Sequence, residues 1–319
     1  MDAPQGEKLF RALFPDETLN RLARIERRNV SRWDSGGVPI RRRHEVIKAT
    51  GPEPWRCGWA LHRAWSAYLG AAEATGLLAD AELRANLTGD DDDSFRGAMA
   101  ECEAVWFFRE RLSGVVRPKV DPKTSKNTDF AATVQAQELY CEVKAPYVPR
   151  MNNSWAGDDA KILRSCVETA GSQFKKKRCN IVVLVPTLRI EVFSDRDQLV
   201  KAVIGEHAMS MFVSLDDSPA PPARPTFLQE GKLARLHPKK DGSVSTDFTR
   251  ISAVMSLEHI FVDNDRDETV ADHRVVVVHN PFAEVPLLAS VFAAFPQLAR
   301  RDDGAMEWTD RPEGPDDSE

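Results

Sequence analysis

A short stretch, residues 127–146, carries two carboxylates and one amine in positions where they could act together. Asp129 lies on the first of two short predicted strands, and Glu142 and Lys144 lie on the second. Side chains alternate between the two faces of a strand, so Glu142 and Lys144 share a face while the residue between them points into the core. Folding the hairpin back can bring Asp129 beside that pair. Such a group could hold a divalent metal ion and activate a water molecule.

The same residues also have an interpretation that needs no chemistry. A glutamate and a lysine two positions apart on a strand are typical of a solvated face, and Asp129 could be an ordinary turn or edge residue. The sequence around the hairpin bears on this choice, because helices and strands would have to position all three side chains.

Residues 6–112 have mainly helical periodicity, with breaks at residues 35–37 and 51–54. Acids 90–93 precede the last helical stretch, where they suit helix capping better than a metal site. From residue 115 the pattern predicts three strands, a helix and a strand covered on both faces: 115–120, 128–135, 139–145, 159–174 and 180–186. Beyond them we expect a helix, a turn-rich linker, two strands and a closing helix: 195–204, 218–225, 250–262, 274–278 and 286–295.

The element order predicts an α/β (α+β) fold with a central mixed sheet flanked by helices. We divide the chain into a helical N-terminal region that could bind substrate, a core, a region of C-terminal strands and a helix, and an acidic disordered tail. The third region would extend the sheet or form a partner surface. The bounds are 1–90, 91–205, 206–300 and 301–319.

The letters TDF and CEVK, with the predicted order helix, three strands, helix, strand, resemble the PD-(D/E)xK or restriction-endonuclease-like nuclease superfamily. The resemblance covers residues 95–186 and departs from the motif at Thr128, which stands where the family often has proline. It implies a restriction-endonuclease-like core and Mg²⁺ (or Mn²⁺) as cofactor. It also implies that Asp129 and Glu142 are metal ligands and that Lys144 orients or deprotonates the attacking water or stabilises developing charge. The backbone carbonyl of Val143 could complete the coordination.

Many members of that family carry a further glutamate on the preceding helix, and two candidates stand here. Glu101 lies on an apolar stripe with Val105 and Phe108, where facing the metal pocket would explain an acid. We therefore expect Glu101 to be both a metal ligand and a catalytic residue, with Glu103 as the reserve choice. Gln173, at the end of the next helix, matches a glutamine that some branches place beside the site.

The chain has 319 residues, 42% of them hydrophobic, and a formal charge of −6, so any contact with nucleic acid must use local basic patches. Arginines in residues 21–43 and the run Lys175–Arg178 provide such patches. Five scattered cysteines without a CxxC pair argue against a zinc ribbon and a disulfide framework. The sequence has no signal-peptide pattern and no run long enough to cross a bilayer, so we expect a cytoplasmic protein with no membrane partner.

We therefore expect a Mg²⁺-dependent endonuclease that hydrolyses phosphodiester bonds, acts on DNA and serves restriction, repair or defence. The alternative is a catalytically inactive protein of the same fold that binds nucleic acid or acts as a scaffold. A third possibility is a protein–protein interaction module with a solvated hairpin. A homodimer or a protein partner is compatible with each of these hypotheses.

Overall fold

The computed structural model describes thirteen segments of the chain, and the account below is confined to them. The arginine-rich residues 21–43, and with them nearly half of the predicted substrate-binding region, lie outside these segments. So do most of the linker and most of the acidic tail. The described residues are 3–15, 56–89, 91–118, 128–146, 159–186, 196–210, 224–230, 233, 236–238, 244–246, 248–263, 269–300 and 306–309.

Helices come first in the described chain and return twice later. Asp91 caps the fourth helix, because its carboxylate accepts a hydrogen bond from the Ser94 N–H at 2.8 Å, as the run of acids predicts. Of the described helices, none is both long and apolar enough to cross a membrane. The helices are α1 (Ala3–Leu13), α2 (Arg56–Ala74), α3 (Ala81–Thr88), α4 (Asp92–Trp106), α5 (Asp159–Gln173) and α6 (Arg196–Val203).

The strands follow α4 after a π-helical turn at Phe107–Arg111. In chain order they are β1 (Val115–Pro118), β2 (Phe130–Val134), β3 (Gln137–Lys144), β4 (Cys179–Leu184), β5 (Gly205–Ser210), β6 (Arg224–Glu230), β7 (Leu236–Pro238), β8 (Val244–Thr246), β9 (Ala253–Asp263), β10 (Thr269–His279), β11 (Gln297–Arg300) and β12 (Met306–Thr309).

Eight of the strands form one sheet in the order β1-β2-β3-β4-β9-β10-β11-β12, while β5–β6 and β7–β8 are separate pairs. β3, β4 and β9 run parallel to one another, as do β10 and β11, and the remaining neighbours are antiparallel. The sheet is therefore mixed, and the predicted α/β class with helices around a central mixed sheet is confirmed. β9 to β12 continue the sheet that β1 to β4 begin.

The sheet separates two hydrophobic cores. Helices α1 to α4 pack on one face, where Ile181 and Val183 of β4 point. Helices α5 and α6 cover the other face, where Val182 and Leu184 point. β4 is buried along its whole length, which confirms the prediction of a central strand covered on both sides.

The predicted closing helix at 286–295 is wrong, because the structure has only a 3₁₀ turn at Ala289–Phe292. Side chains donate hydrogen bonds to backbone carbonyls that would accept backbone hydrogen bonds in a longer helix. The Gln297 amide donates to the carbonyls of Ala289 and Phe292, and the Gln137 amide donates to that of Pro286. These bonds hold the segment as a loop against the sheet.

Two predictions of irregular chain are also corrected. Met306–Thr309, placed in the disordered tail, forms β12 and pairs with β11, so that Trp308 lies opposite Leu298 and packs against the second core. Arg224 and Pro225, placed in the linker, begin β6. Charge indicated a disordered tail in the first place and proline content a turn-rich linker in the second, but local composition does not reveal that a neighbouring strand is available for pairing.

The hairpin that joins β2 and β3 turns through two residues in left-handed conformation. Val134 pairs with Gln137, and between them Gln135 has φ 47° and Ala136 has φ 66°. Two positive φ values in a two-residue loop are the pattern of a type I′ turn, which favours Asn and Gly. The turn sets the register of the strands although neither residue is the preferred type.

We predict that Ala136→Gly raises the free energy of unfolding by about 1 kcal/mol, because glycine adopts this conformation without the steric cost that alanine bears. Denaturant titration measures the change. Ala85→Gly, at an exposed position inside α3, is the matched control and should lower the free energy of unfolding by about 1 kcal/mol. A loss of stability in both variants would contradict the role assigned to the turn.

Candidate active site

Asp129 is fixed to β3 by a hydrogen bond to the backbone. It lies one residue before β2, and the register that pairs Phe130 with Cys141 places it opposite Glu142. Its Oδ2 accepts a hydrogen bond from the Val143 N–H at 2.7 Å. The side chain thus continues the connection between the two strands beyond their last paired residues, and it holds the Asp129 carboxylate beside β3.

The buried Glu142 and the half-buried Lys144 form an ion pair on the face of the sheet that α5 covers. The Lys144 Nζ donates to the Glu142 Oε1 at 2.7 Å, and the Glu142 side chain is only 5% exposed. Its second oxygen, Oε2, is buried and has no hydrogen-bond partner among the described residues. A solvated strand face is therefore the wrong interpretation of Glu142. A buried carboxylate oxygen without a partner is costly, which makes this atom the strongest signal for a missing ligand.

The electrostatics of this pair differ from those of a surface pair. Burial, and then the negative charge of Asp129, raise the pKa of Glu142 to about 7, against the opposing effect of Lys144. Burial alone would lower the pKa of Lys144, but Glu142, Asp129 and Glu101 together raise it above its usual value. Lys144 therefore stays an ammonium near neutral pH, whereas Glu142 exchanges its proton there.

Glu101 belongs to the same electrostatic group, which we call the carboxylate cluster: Glu101, Asp129 and Glu142. Glu101 lies partly buried on α4, and its pKa is raised well above its usual value by burial, by Asp129 and by Glu142 in that order. Lys144 opposes the shift. The three acids lie close enough to repel one another with one ammonium between them. Of the two α4 glutamates, Glu101, which lies on the apolar stripe, is therefore the one whose charge interacts with Asp129 and Glu142.

Glu103 has a different surrounding, although it lies two residues away on the same helix. Its side chain is buried, and its Oε1 lies 3.0 Å from the Nε2 of His273 on β10. The Tyr68 hydroxyl lies 3.1 Å from the same nitrogen. Glu103 therefore connects α2, α4 and β10 inside the first core. Because its carboxylate is bound there, it is not the helix glutamate of the candidate site.

The structure gives Gln173 no place at the cluster. Gln173 is the last residue of α5, whereas Cys166, in the middle of this helix, lies close enough to Lys144 for its charge to act on it. Burial raises the pKa of the Cys166 thiol, and Lys144 opposes that shift. Gln173 lies roughly 10 Å further along the helix axis. Sequence reasoning missed Cys166 because it predicted α5 but not which residue faces the lysine.

The carbonyl of Val143 points to the same side as Asp129. The Lys144 carbonyl accepts a hydrogen bond from the Val185 N–H at 2.8 Å, on the β4 side. Successive residues of a strand direct their backbone groups to opposite neighbours, and the N–H of Val143 meets Asp129. Its carbonyl therefore faces the β2 side as well, which suits the coordinating role that the resemblance implies.

Within the described ranges, no three His, Cys, Asp or Glu side chains are grouped closely enough to hold a metal ion by themselves. Two observations nevertheless suit a hard cation. Glu142 keeps a buried oxygen without a hydrogen-bond partner among the described residues. Burial, and then the negative charge of the neighbouring acids, raises the pKa values of Glu101 and Glu142. Oxygen ligands of this kind are those that Mg²⁺ takes, usually with several waters retained. The residues fit Mg²⁺, and its binding stays a prediction.

Comparison with known proteins returned no match: no protein-family model, no curated protein and no solved structure matches the chain. Three features therefore bear on the function of the protein: the geometry of the carboxylate cluster, the resemblance in the hairpin motif and the order of the elements around it.

The two glutamates of α4 should respond differently to removal. We predict that Glu103→Ala lowers the free energy of unfolding by about 3 kcal/mol, because it leaves the buried His273 and Tyr68 without the carboxylate between α4 and β10. Glu101→Ala is the matched control and should leave the free energy of unfolding unchanged or raise it, since it relieves repulsion. Thermal and denaturant unfolding measure both. Equal losses in the two variants would contradict the assignment.

The raised pKa of Glu142 makes stability depend on pH. Because the folded protein binds this proton more tightly than the unfolded chain, Glu142 stabilises the fold most below its ordinary pKa of 4.5, and this stabilisation is lost as pH rises through about 7. In metal-free buffer we predict that Glu142→Gln removes a decrease on the order of 3 kcal/mol between about pH 5 and about pH 8. Denaturant titrations across this range measure it. Parallel pH profiles of wild type and variant would contradict the shift.

Proposed function

We propose that this protein is a metal-dependent nuclease that hydrolyses phosphodiester bonds, in the first instance a DNA endonuclease. The observation that carries the proposal is the buried Glu142, with one oxygen paired to Lys144, the other without a partner, and Asp129 fixed alongside. Neither a solvated hairpin nor an ordinary core strand accounts for two acids and an amine in this position.

The surrounding elements support a restriction-endonuclease-like core. α4 precedes the antiparallel strands β1, β2 and β3, and α5 then leads to β4, which is parallel to β3. This is the order that the resemblance to the PD-(D/E)xK superfamily implies. The further strands β9 to β12 follow β4 in the order of the sheet. β1 is therefore still an edge strand, and β2 and β3 still lie between β1 and β4.

The cluster side chains have separate tasks in this proposal. Asp129, Glu142, Glu101 and the carbonyl of Val143 would hold Mg²⁺ or Mn²⁺. When bound, the metal lowers the pKa of a coordinated water and offsets phosphate charge. Lys144 keeps its proton, because its pKa is raised, so it donates hydrogen bonds and stabilises the negative charge that grows on the phosphate. This favours charge stabilisation over proton abstraction, the other role that the motif allows for the lysine.

One observation favours the alternative, a catalytically inactive protein of the same fold that binds nucleic acid or acts as a scaffold. Asp129 and Glu142 each have an oxygen engaged by the protein itself, through the Val143 N–H and the Lys144 ammonium. In an inactive protein these bonds would persist and the cluster would serve only as structure. Restriction, repair and defence roles, and a homodimer or protein partner, stay predictions under either hypothesis.

A cleavage assay on supercoiled plasmid and linear duplex DNA tests the proposal. We predict cleavage that requires Mg²⁺ or Mn²⁺ and stops with EDTA. Asp129→Asn should abolish it, since the amide keeps an acceptor for the Val143 N–H but removes a charged ligand. Lys144→Ala should slow it by at least about a hundredfold, through loss of charge stabilisation. Glu73→Gln, at an exposed position on α2, is the control and should cleave at the wild-type rate.

The assay also separates the two hypotheses. Variants that stay folded, judged by circular dichroism and melting temperature, but lose cleavage support the nuclease. The nuclease hypothesis is contradicted if wild-type protein binds DNA but does not cleave it with any divalent metal. That result would support the inactive binding protein.

A further inference from the structure

Four consecutive basic residues form the turn between α5 and β4, and we call them the lysine turn: Lys175–Arg178. The turn is fixed by hydrogen bonds. The Asn180 side chain donates to the carbonyls of Lys175 and Arg250 at 2.8 and 2.7 Å, and the Lys177 N–H donates to Glu284 at 3.4 Å. A basic run that would usually be a loose loop is thus held in one conformation beside the sheet.

Lys177 adopts the left-handed backbone conformation, with φ 59°. This conformation is uncommon for residues other than glycine and asparagine, and it costs a lysine about 1 kcal/mol. Either of those residues would make the turn at lower cost but without the charge. Lys176 and Lys177 are exposed and do not pack in a hydrophobic core. A charged residue therefore stands at position 177 although glycine or asparagine would make the fold more stable. Such a local conflict is typical of functional positions.

The lysine turn lies on the same side of the sheet as Glu142. The Arg178 guanidinium stacks over the ring of Tyr140 at 4.3 Å. Tyr140 and Glu142 are two positions apart on β3, so both point to the same face. Cys179, the residue after the turn, pairs with Leu139, and Val182 pairs with Glu142. Along the strands, the turn lies about 13 Å from Glu142, at roughly 3.3 Å per residue.

We propose that the lysine turn binds the phosphate backbone of a DNA duplex whose scissile bond lies at the carboxylate cluster. This rests on the proposed nuclease function and identifies the surface that positions its substrate. The spacing corresponds to about four base pairs at 3.4 Å each. The chain as a whole carries a charge of −6 and repels DNA, so binding requires a local basic surface of this kind.

The test measures binding of a fluorescent duplex oligonucleotide by anisotropy, in EDTA so that no cleavage occurs, over a range of salt concentrations. The variant is Lys176→Gln with Lys177→Asn, in which asparagine accepts the left-handed conformation without charge. We expect weaker binding, and a slope of log affinity against log salt that is smaller by about 2, close to 0.9 per lost phosphate contact.

One control variant separates the charge of this turn from its backbone conformation. Lys177→Arg retains the charge and should keep the wild-type slope. The turn variant should melt at or above the wild-type temperature, since asparagine relieves strain at position 177.

The inference is overturned if the turn variant keeps the wild-type slope, if Lys177→Arg loses as much as the turn variant, or if wild type does not bind the duplex. Cleavage by wild type with Mg²⁺ is scored separately. Turn-dependent binding without cleavage would support this surface and reject the proposed nuclease. If wild type cleaves DNA but the turn variant keeps the wild-type salt slope, the lysine turn is not the binding surface, and the nuclease proposal is unaffected.

Discussion

Burial of like charges at the end of the β2–β3 hairpin is the constraint on which the rest of the site depends. Asp129 and Glu142 lie opposite each other, and Glu101 approaches from α4, with only the Lys144 ammonium to offset them. Carboxylates in such a setting are stable only if they hold protons or a cation. The raised pKa values of Glu101 and Glu142 show the first solution, and a bound divalent metal would be the second.

The architecture explains why these groups are buried at all. β3 lies inside the sheet, so its odd-numbered residues, such as Cys141, enter the core under α1 to α4. Its even-numbered residues lie on the face that α5 and α6 cover, and Glu142 is only 4% exposed. A strand covered on one side only would leave the ion pair in water, where it would contribute little. Because α5 packs on this face of the sheet, the Glu142 and Lys144 pair is not a solvated surface pair.

Much of this arrangement follows from sequence patterns. Strand alternation placed Glu142 and Lys144 on one face, the apolar stripe of α4 selected Glu101, and the apolar run of β4 predicted a central strand. The sequence did not reveal which helix covers the hairpin, so the burial of Glu142 and the proximity of Cys166 were missed. Nor did it reveal β12 or the loop at 286–295, because both depend on side-chain and strand partners distant in the chain.

We expect the carboxylate cluster to bind one divalent cation in exchange for protons. Calorimetric titration of the protein with Mn²⁺, in buffers of different ionisation enthalpy, tests it most directly. At about pH 6, below the pKa of Glu142, we expect one bound Mn²⁺ with release of protons, and fewer protons released at about pH 8. Asp129→Asn should lose the binding, and Glu142→Gln should lose both the binding and the proton release. Unchanged Mn²⁺ affinity in both variants, or no binding by wild type, would contradict it.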